Sequence, residues 1–420
     1  MLPVFPIEQG WFIELTLFVR KSFIPIRNFS KIRYPPFMPK KLPTVLAGIA
    51  ASNATLFHRI RFMAPDSCVI IDFADGKSVF LVRDIEMDRA RKQARADEIK
   101  CAANFEPEGG LSGDRDTGLA QAAAECLRQA GEKSVTVDRS LPFLYAWYFQ
   151  KAGITVEYSE NFGVVERRIK DAEEIEHLRH AQTVTGEAMT MACGLIARAK
   201  PDAAGILHHD GNVLTSERVR RMITAFLMDR GFSNAHDSIV VTVPHVADCH
   251  HFGAGPLITN IPVIVDIFPM DNATRYNGDM TRTVVNGEPT AEFLRMHETV
   301  RTAKQAGCEA LKAGTTGEAV HRAVAAVIEG NGFSMVRGDA RHDLAMPSMR
   351  HGTGHGIGLD VHEPILLDDG GGEIFAGEAF TVEPGLYSAT IGGVRVEDMA
   401  VVTETGHEIL APIHEGLDWS

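Results

Sequence analysis

From residue 41 onward the chain alternates short apolar runs with amphipathic stretches. "CVIIDFA" (68–74) and "SVFLVR" (78–83) flank Asp75-Gly76, a pair that favours the tight turn of a β-hairpin. "DTGLAQAAAECLRQAG" (116–131) predicts a helix stopped by Gly131, and "SVTVD" (134–138) predicts a strand. "SLPFLYAWYFQKAG" (140–153) predicts a second helix with a glycine stop, and "ITVEYS" (154–159) another strand. Strands alternating with helices predict an α/β domain over 41–163.

At "VVERRIKDAEEIEHLRHAQTVTGEAM" (164–189) the pattern changes. Asp171 can cap a long helix with acidic residues in its first turn, and Ile175, Leu178 and Ala181 begin its apolar face. A domain boundary is therefore placed near 164. Further helices are predicted at about 215–230, 290–312 and 316–330, with Gly314 between the last two. Strands are predicted at 261–268, 279–286, 378–387 and 393–403. The 164–420 half reads as α+β with mostly antiparallel strands. Residues 1–40 mix proline, basic and aromatic residues without a period. They predict an arm, unstructured or upstream of the natural start, so a chain beginning at Met38 is expected to fold.

Composition narrows the function classes. With 420 residues, 45% hydrophobic and 23% charged, the chain suits a soluble globular protein of two or three domains. The formal net charge is −13 and no long Lys/Arg run occurs, which argues against a nucleic-acid-binding face. No apolar run is long enough to span a bilayer. "WFIELTLFV" (11–19) carries Glu14 and lacks preceding basic residues, so it makes a poor signal peptide. The six cysteines are scattered without a CxxC pair, as expected of reduced thiols in a cytoplasmic protein. Cys249 beside His250 is a weak candidate for a nucleophile pair.

The candidate chemistry begins with "RHGTGHGIGLDVHEP" (350–364), which carries His351, His355 and His362 among alternating glycines. It contains no GxGxxG, and the chain has neither a Walker A loop nor HExxH. Four carboxylates stand in or beside apolar strands: Asp266 in "IPVIVDIFP", Asp279 in "YNGDMTRTVV", Glu383 in "AFTVEPGLY" and Glu397 in "GVRVEDMAVV". Period two puts Arg395 and Glu397 on one strand face. A buried carboxylate is costly unless a cation neutralises it. Salt bridges, for example to Arg282 and Arg395, would satisfy one such group. Four, with histidines beside them, suit two divalent cations better.

In their order along the chain, Asp266, Asp279-x-Thr-Arg-Thr, Gly-His355-Gly-x-Gly…His362-Glu, Val-Glu383-Pro-Gly and Val-Arg395-Val-Glu397-Asp resemble the motifs of the pita-bread metallopeptidases. These are the aminopeptidase P, prolidase, methionine aminopeptidase and creatinase group. The resemblance covers about 164–420. The 41–163 segment resembles the creatinase-type N-terminal domain, which favours the aminopeptidase P and prolidase branch. The resemblance implies a pita-bread catalytic domain preceded by a smaller α/β domain, and two divalent metal ions, Mn²⁺ favoured with Co²⁺ or Zn²⁺ also fitting. Asp266 would chelate one ion, His355 and Glu383 the other, and Asp279 and Glu397 would bridge. Glu383 would also shuttle a proton. His250, with His251 as the fallback, His362 and Arg395 would hold the substrate and its developing oxyanion; the role of His351 stays open. The glycines would let the backbone pass close to metals and substrate. Where the family usually has Asp-Phe/Leu-Gly, this chain has Asp266-Ile-Phe-Pro, and a longer gap to Asp279 implies a longer hairpin.

The implied reaction is peptide hydrolysis, as an Xaa-Pro aminopeptidase acting on peptides with proline second. The alternatives are an Xaa-Pro dipeptidase (prolidase), a creatinase-like metal-free hydrolase, and a binding protein of the same fold. A homodimer or higher homo-oligomer is expected, with no nucleic-acid or membrane partner.

Overall fold

The computed structural model describes residues 42–338 and 342–420. The arm expected over 1–40, and its dispensability, lie outside the described residues. Pro43–Ser420 form one compact unit.

Its first part is a six-stranded sheet of β1 (Thr44–Gly48), β2 (Cys68–Asp72), β3 (Ser78–Leu81), β4 (Glu98–Lys100), β5 (Ser134–Val137) and β6 (Thr155–Tyr158), in the order β4-β3-β2-β1-β5-β6. The expected hairpin joins β2 to β3, with Gly76 at φ +92° in its turn. The sheet is mixed: β1-β2 and β2-β3 are antiparallel, and the pairs outside them are parallel. Strand periodicity explains how this part is held. Val45, Ala47, Val69 and Ile71 pack under α2 (Arg115–Gln129) and α3 (Phe143–Lys151). Their neighbours Leu46, Cys68 and Ile70 face the other way. There they meet α1 (Ala54–Ile60) and Leu178, Tyr276, Ile357 and Met399 of the second part. A strand covered on both faces reads as an unbroken apolar run, as in "CVIID".

The second part begins with α4 (Ala172–Ala197). Asp171 caps it as expected and forms a capping box with Glu174. Helix α4 and α5 (Ser216–Asp229) cover one face of a small antiparallel sheet of β7 (Ile239–Val241), β8 (Val263–Ile267) and β9 (Met280–Val284). Two further helices, α6 (Ala291–Ala310) and α7 (Gly317–Gly330), pack on two more sheets. One is five-stranded, built from β10 (Gly354–Gly356), β11 (Glu363–Leu367), β12 (Ala379–Val382), β15 (Asp398–Val402) and β16 (His407–Ile409). The other includes β13 (Gly385–Ser388) and β14 (Gly392–Arg395). Among the described residues no helix is long and apolar enough to cross a membrane.

Candidate metal centre

Asp266 owes its place to the period of β8. Val263, Val265 and Ile267 enter the core beneath the helices, while Ile264 and Asp266 face the opposite side. The cross-strand partners of Asp266 are Thr281 on β9 and Ile239 on β7. Asp279 immediately precedes β9, and Gln182 of α4 grips its backbone from both sides. The Asp279 N–H donates to Gln182 Oε1 (2.9 Å), and Gln182 Nε2 donates to the Asp279 carbonyl (2.7 Å). The connection between the two strands is the longer hairpin expected, and its Met270–Asp271 pair with Phe232–Ser233.

The two glutamates differ from expectation in an informative way. The apolar pattern predicts continuous strands over 378–387 and 393–403. Each is broken instead, the first between Val382 and Gly385, the second between Arg395 and Asp398. Glu383 and Glu397 occupy the breaks, where one hairpin crosses from the five-stranded sheet to its neighbour. Pro384 lacks an N–H and cannot continue the ladder. Freed from regular pairing, the Glu397 N–H donates to the Thr281 carbonyl (3.1 Å), which brings the hairpin against β9.

The glycine-rich segment also differs. Gly352, Gly354, Gly356 and Gly358 have no positive φ, so conformational freedom is not what they supply. A Cβ on Gly354 would overlap the Thr381 carbonyl. One on Gly356 would lie 2.8 Å from the Glu363 and Pro364 carbonyl oxygens, and one on Gly358 2.8 Å from the Glu363 carboxylate. Close approach of neighbouring backbone, and of the Glu363 carboxylate, is by itself enough to require glycine at Gly354, Gly356 and Gly358.

His355 lies in β10. Its Nδ1 donates to the Gly356 carbonyl (3.1 Å), which leaves the lone pair on Nε2. That lone pair faces Asp279 Oδ2 and Glu383 Oε1, each at 3.7 Å. Burial and the neighbouring His362 push His355 down to about 4, so its ring is neutral. Donor atoms of Asp279, His355 and Glu397 lie within 4.8 Å of one another. Burial and mutual repulsion raise Asp279 and Glu397 well above the carboxylate range. Burial, with Asp266 adding to it against the pull of Arg395, pushes Glu383 up to about 8. Asp266 Oδ2 accepts from Arg395 Nη2 (2.6 Å), but its buried Oδ1 has no partner among the described residues. Arg282, offered by the sequence as a second counter-charge, is turned away; it pairs with Asp398 (2.6 Å). An orphaned carboxylate oxygen, a free imidazole lone pair and acids that repel each other form an oxygen-rich donor set suited to divalent cations.

Behind these groups runs a chain of hydrogen bonds. Arg395 Nε donates to Thr281 Oγ1 (3.1 Å), and Thr281 donates to Glu397 Oε2 (2.7 Å). Arg395 Nη1 donates to the Tyr387 hydroxyl (2.9 Å), which lies 2.6 Å from His351 Nε2. His351 Nδ1 donates to the Gly352 carbonyl (2.8 Å), so its Nε2 accepts from Tyr387. Burial, then Arg395, hold His351 near 3. Sequence reasoning misses Gln182, Thr281 and Tyr387. The available signals are slight: Tyr387 ends the Glu383 run, and Gln182 is a polar residue on an apolar helix face.

His362 stands edge-on to His355, ring centroids 4.3 Å apart. His250 is exposed and electrostatically coupled to His362 and His351. His251 instead stacks on His245, and its Nδ1 accepts from the Gly253 N–H (2.9 Å). The Cys249 thiol is pushed up by burial, which disfavours the nucleophilic thiolate. A further cluster, His321, Asp368 and Asp369, is already paired with arginines: Arg337 with His321 and Asp368, Arg322 with Asp369.

This arrangement of broken hairpin, buried acids and one imidazole defines a pita-bread fold with a metal-type donor set. The chain belongs to metallopeptidase family M24, whose model matches residues 176–404. The probable dipeptidase PepE of Mycobacterium tuberculosis is 33% identical over 194 residues, 46% of this chain and 48% of that protein. The match thus spans about half the length of that relative. Two solved structures share the fold. The Xaa-Pro dipeptidase from Bacillus anthracis has a TM-score of 0.73 at 23% identity, covering 89% of this chain and 94% of its own. The X-Pro aminopeptidase from Thermotoga maritima has a TM-score of 0.72 at 20% identity, covering 89% and 96%.

Proposed function

We propose that the chain is a metal-dependent peptidase that hydrolyses the bond before a proline in second position and releases the N-terminal residue. One observation supports this above the others: Asp266, Asp279, Glu383 and Glu397 converge in a buried site with the His355 lone pair and the Arg395 guanidinium. In this reading Asp266, Asp279, His355, Glu383 and Glu397 would hold two divalent cations. When bound, the cations compensate the acids, polarise the scissile carbonyl and lower the pKa of a water. Manganese is favoured, because oxygen donors outnumber nitrogen.

The chain's own residues do the rest. Glu383, whose side chain keeps 20% exposure, takes the water's proton and passes it to the leaving nitrogen. His362 and His250 donate to the carbonyl oxygen as its charge develops. Arg395 spends its three nitrogens on Asp266, Thr281 and Tyr387, so we assign it to holding those groups in place rather than to the substrate. His351 anchors the far end of that chain. The preference for proline rests on what the structural neighbours are named for.

A dipeptidase confined to two-residue substrates is the second reading, favoured by the relative named as a dipeptidase. Incubating Mn²⁺-loaded protein with Gly-Pro, Gly-Pro-Xaa and Gly-Ala-Xaa separates the two. Release of glycine from Gly-Pro-Xaa supports the aminopeptidase; cleavage of Gly-Pro alone supports the dipeptidase. Cleavage of Gly-Ala-Xaa in preference to both overturns the proline assignment.

A further inference from the structure

Glu363 follows His362 directly and is buried, yet it is charged, held down near 2 by its cationic neighbours against the cost of burial. Its Oε1 accepts the backbone N–H groups of Leu359 (3.0 Å) and Asp360 (3.3 Å) and also meets Arg167 Nη2. Its Oε2 accepts from Lys170 Nζ (2.9 Å). Arg167 Nη2 also reaches Asp360 Oδ2 (2.6 Å). The loop from Gly358 to His362 therefore folds around one carboxylate. Gly358 is glycine because a Cβ there would lie 2.8 Å from both carboxylate oxygens.

Both cations come from the segment that joins the first sheet to α4. That segment is itself anchored: the Lys170 N–H donates to the Gly377 carbonyl (2.9 Å), and Arg168 pairs with Glu378. Arg167 also reaches Thr55 Oγ1 on α1 (3.4 Å). The side chain that shapes the His362 loop is thus gripped from outside the catalytic sheets.

We infer that Lys170 and Arg167 are positioning residues that set the His362 ring through the buried carboxylate of Glu363. The inference deepens the proposed function, since it rests on His362 acting on the substrate. Should Glu363 shift, the loop loses the acceptor of two backbone N–H groups and the ring leaves its place beside His355.

The test uses the full chain with Lys170→Met, Lys170→Arg and Gly358→Ala, each alone and combined with His362→Ala. With metal loaded, Lys170→Met and Gly358→Ala should each lower kcat about 10- to 100-fold at unchanged KM and unchanged metal content. Lys170→Arg should restore most of that loss. In the His362→Ala background neither should lower kcat further; losses that multiply instead overturn the inference. A second readout needs no turnover: the rate at which diethyl pyrocarbonate modifies His362 in metal-free protein, followed by peptide mass spectrometry. That rate should change several-fold in both variants while the rate at His250 stays constant. An unchanged rate at His362 overturns the inference. Should wild type cut no Xaa-Pro peptide, the proposed function fails, and the modification rates still decide this point. Gly358→Ala keeps every charge, so it serves where Lys170→Met does not fold.

Discussion

Glu363 opens β11 and Glu383 follows β12, the two strands that flank β10 in one sheet, and the protein treats their charges in opposite ways. Around Glu363 the chain supplies Lys170, Arg167 and two backbone N–H groups, and the carboxyl falls to about 2. Around Glu383 it supplies further acids, with Arg395 engaged by Asp266, and the carboxyl rises to about 8. Burial costs both groups the same kind of solvation. The difference lies in who compensates. A buried acid with donors built around it organises the fold. A cluster of buried acids left short of donors is poised for a cation that the chain does not encode.

The largest effect that could break this contrast is metal removal. Exhaustive chelation is expected to abolish peptide hydrolysis, and Mn²⁺ or Co²⁺ to restore it. Full activity in chelated protein, measured beside residual metal, would falsify the reading of the acid cluster.

Single-charge changes come next. Glu363→Gln leaves Lys170 buried without its anion and Arg167 with Asp360 alone, and should destabilise the protein by about 3–5 kcal/mol. Glu397→Gln in metal-free protein relieves repulsion and should leave stability equal or higher. Urea unfolding of the two variants, metal-free, reads the contrast directly; equal losses would erase it.

The histidines sharpen it further. His355→Ala should lose metal content together with activity. His362→Ala should bind metal normally and lose about 10²–10³ in kcat, roughly 2.7–4 kcal/mol of transition-state stabilisation. Metal stoichiometry beside kcat decides the matter, and the reverse pattern would require the roles to be redrawn.

The smallest expected effect is on pH dependence. Glu383 is raised in the fold, so its contribution to metal-free stability is present below its unfolded pKa near 4.5 and is lost as pH rises through about 8. Glu363 is lowered, so its contribution is present above about 4.5 and is lost as pH falls toward 2. Metal-free protein should therefore be most stable near pH 5 and lose stability on each side. Added Mn²⁺ should flatten the alkaline arm and leave the acid arm alone. Thermal midpoints across pH 3–9 check this, and an alkaline arm unchanged by metal would count against the assignment.

Much of the fold and of the site is legible in the sequence. The β2-β3 hairpin, the Asp171 cap and the helices 216–229, 291–310 and 317–330 follow from spacing and turn chemistry. The acids and histidines of the site stand out as costly residues in apolar surroundings. The strand breaks at Glu383 and Glu397 do not stand out, although Pro384 is a clue. The alternating glycines are visible, but their reason is not, because the atoms they avoid belong to Thr381, Glu363 and Pro364. Gln182 and Tyr387 carry only slight signals, and Lys170 carries none of its own.

What the sequence determined by itself is what depends on near neighbours: period, caps, turns, and the chemical type of each side chain. What only the tertiary structure decided is the partner of each buried charge. Arg282 and Arg395 look alike along the chain, in strands of similar character. Packing sends Arg282 to Asp398 and Arg395 to Asp266. Glu363 and Glu383 look alike too, until distant segments bring two cations to one and three acids to the other. Charge compensation acts through space over a few ångströms, and sequence distance carries no record of it.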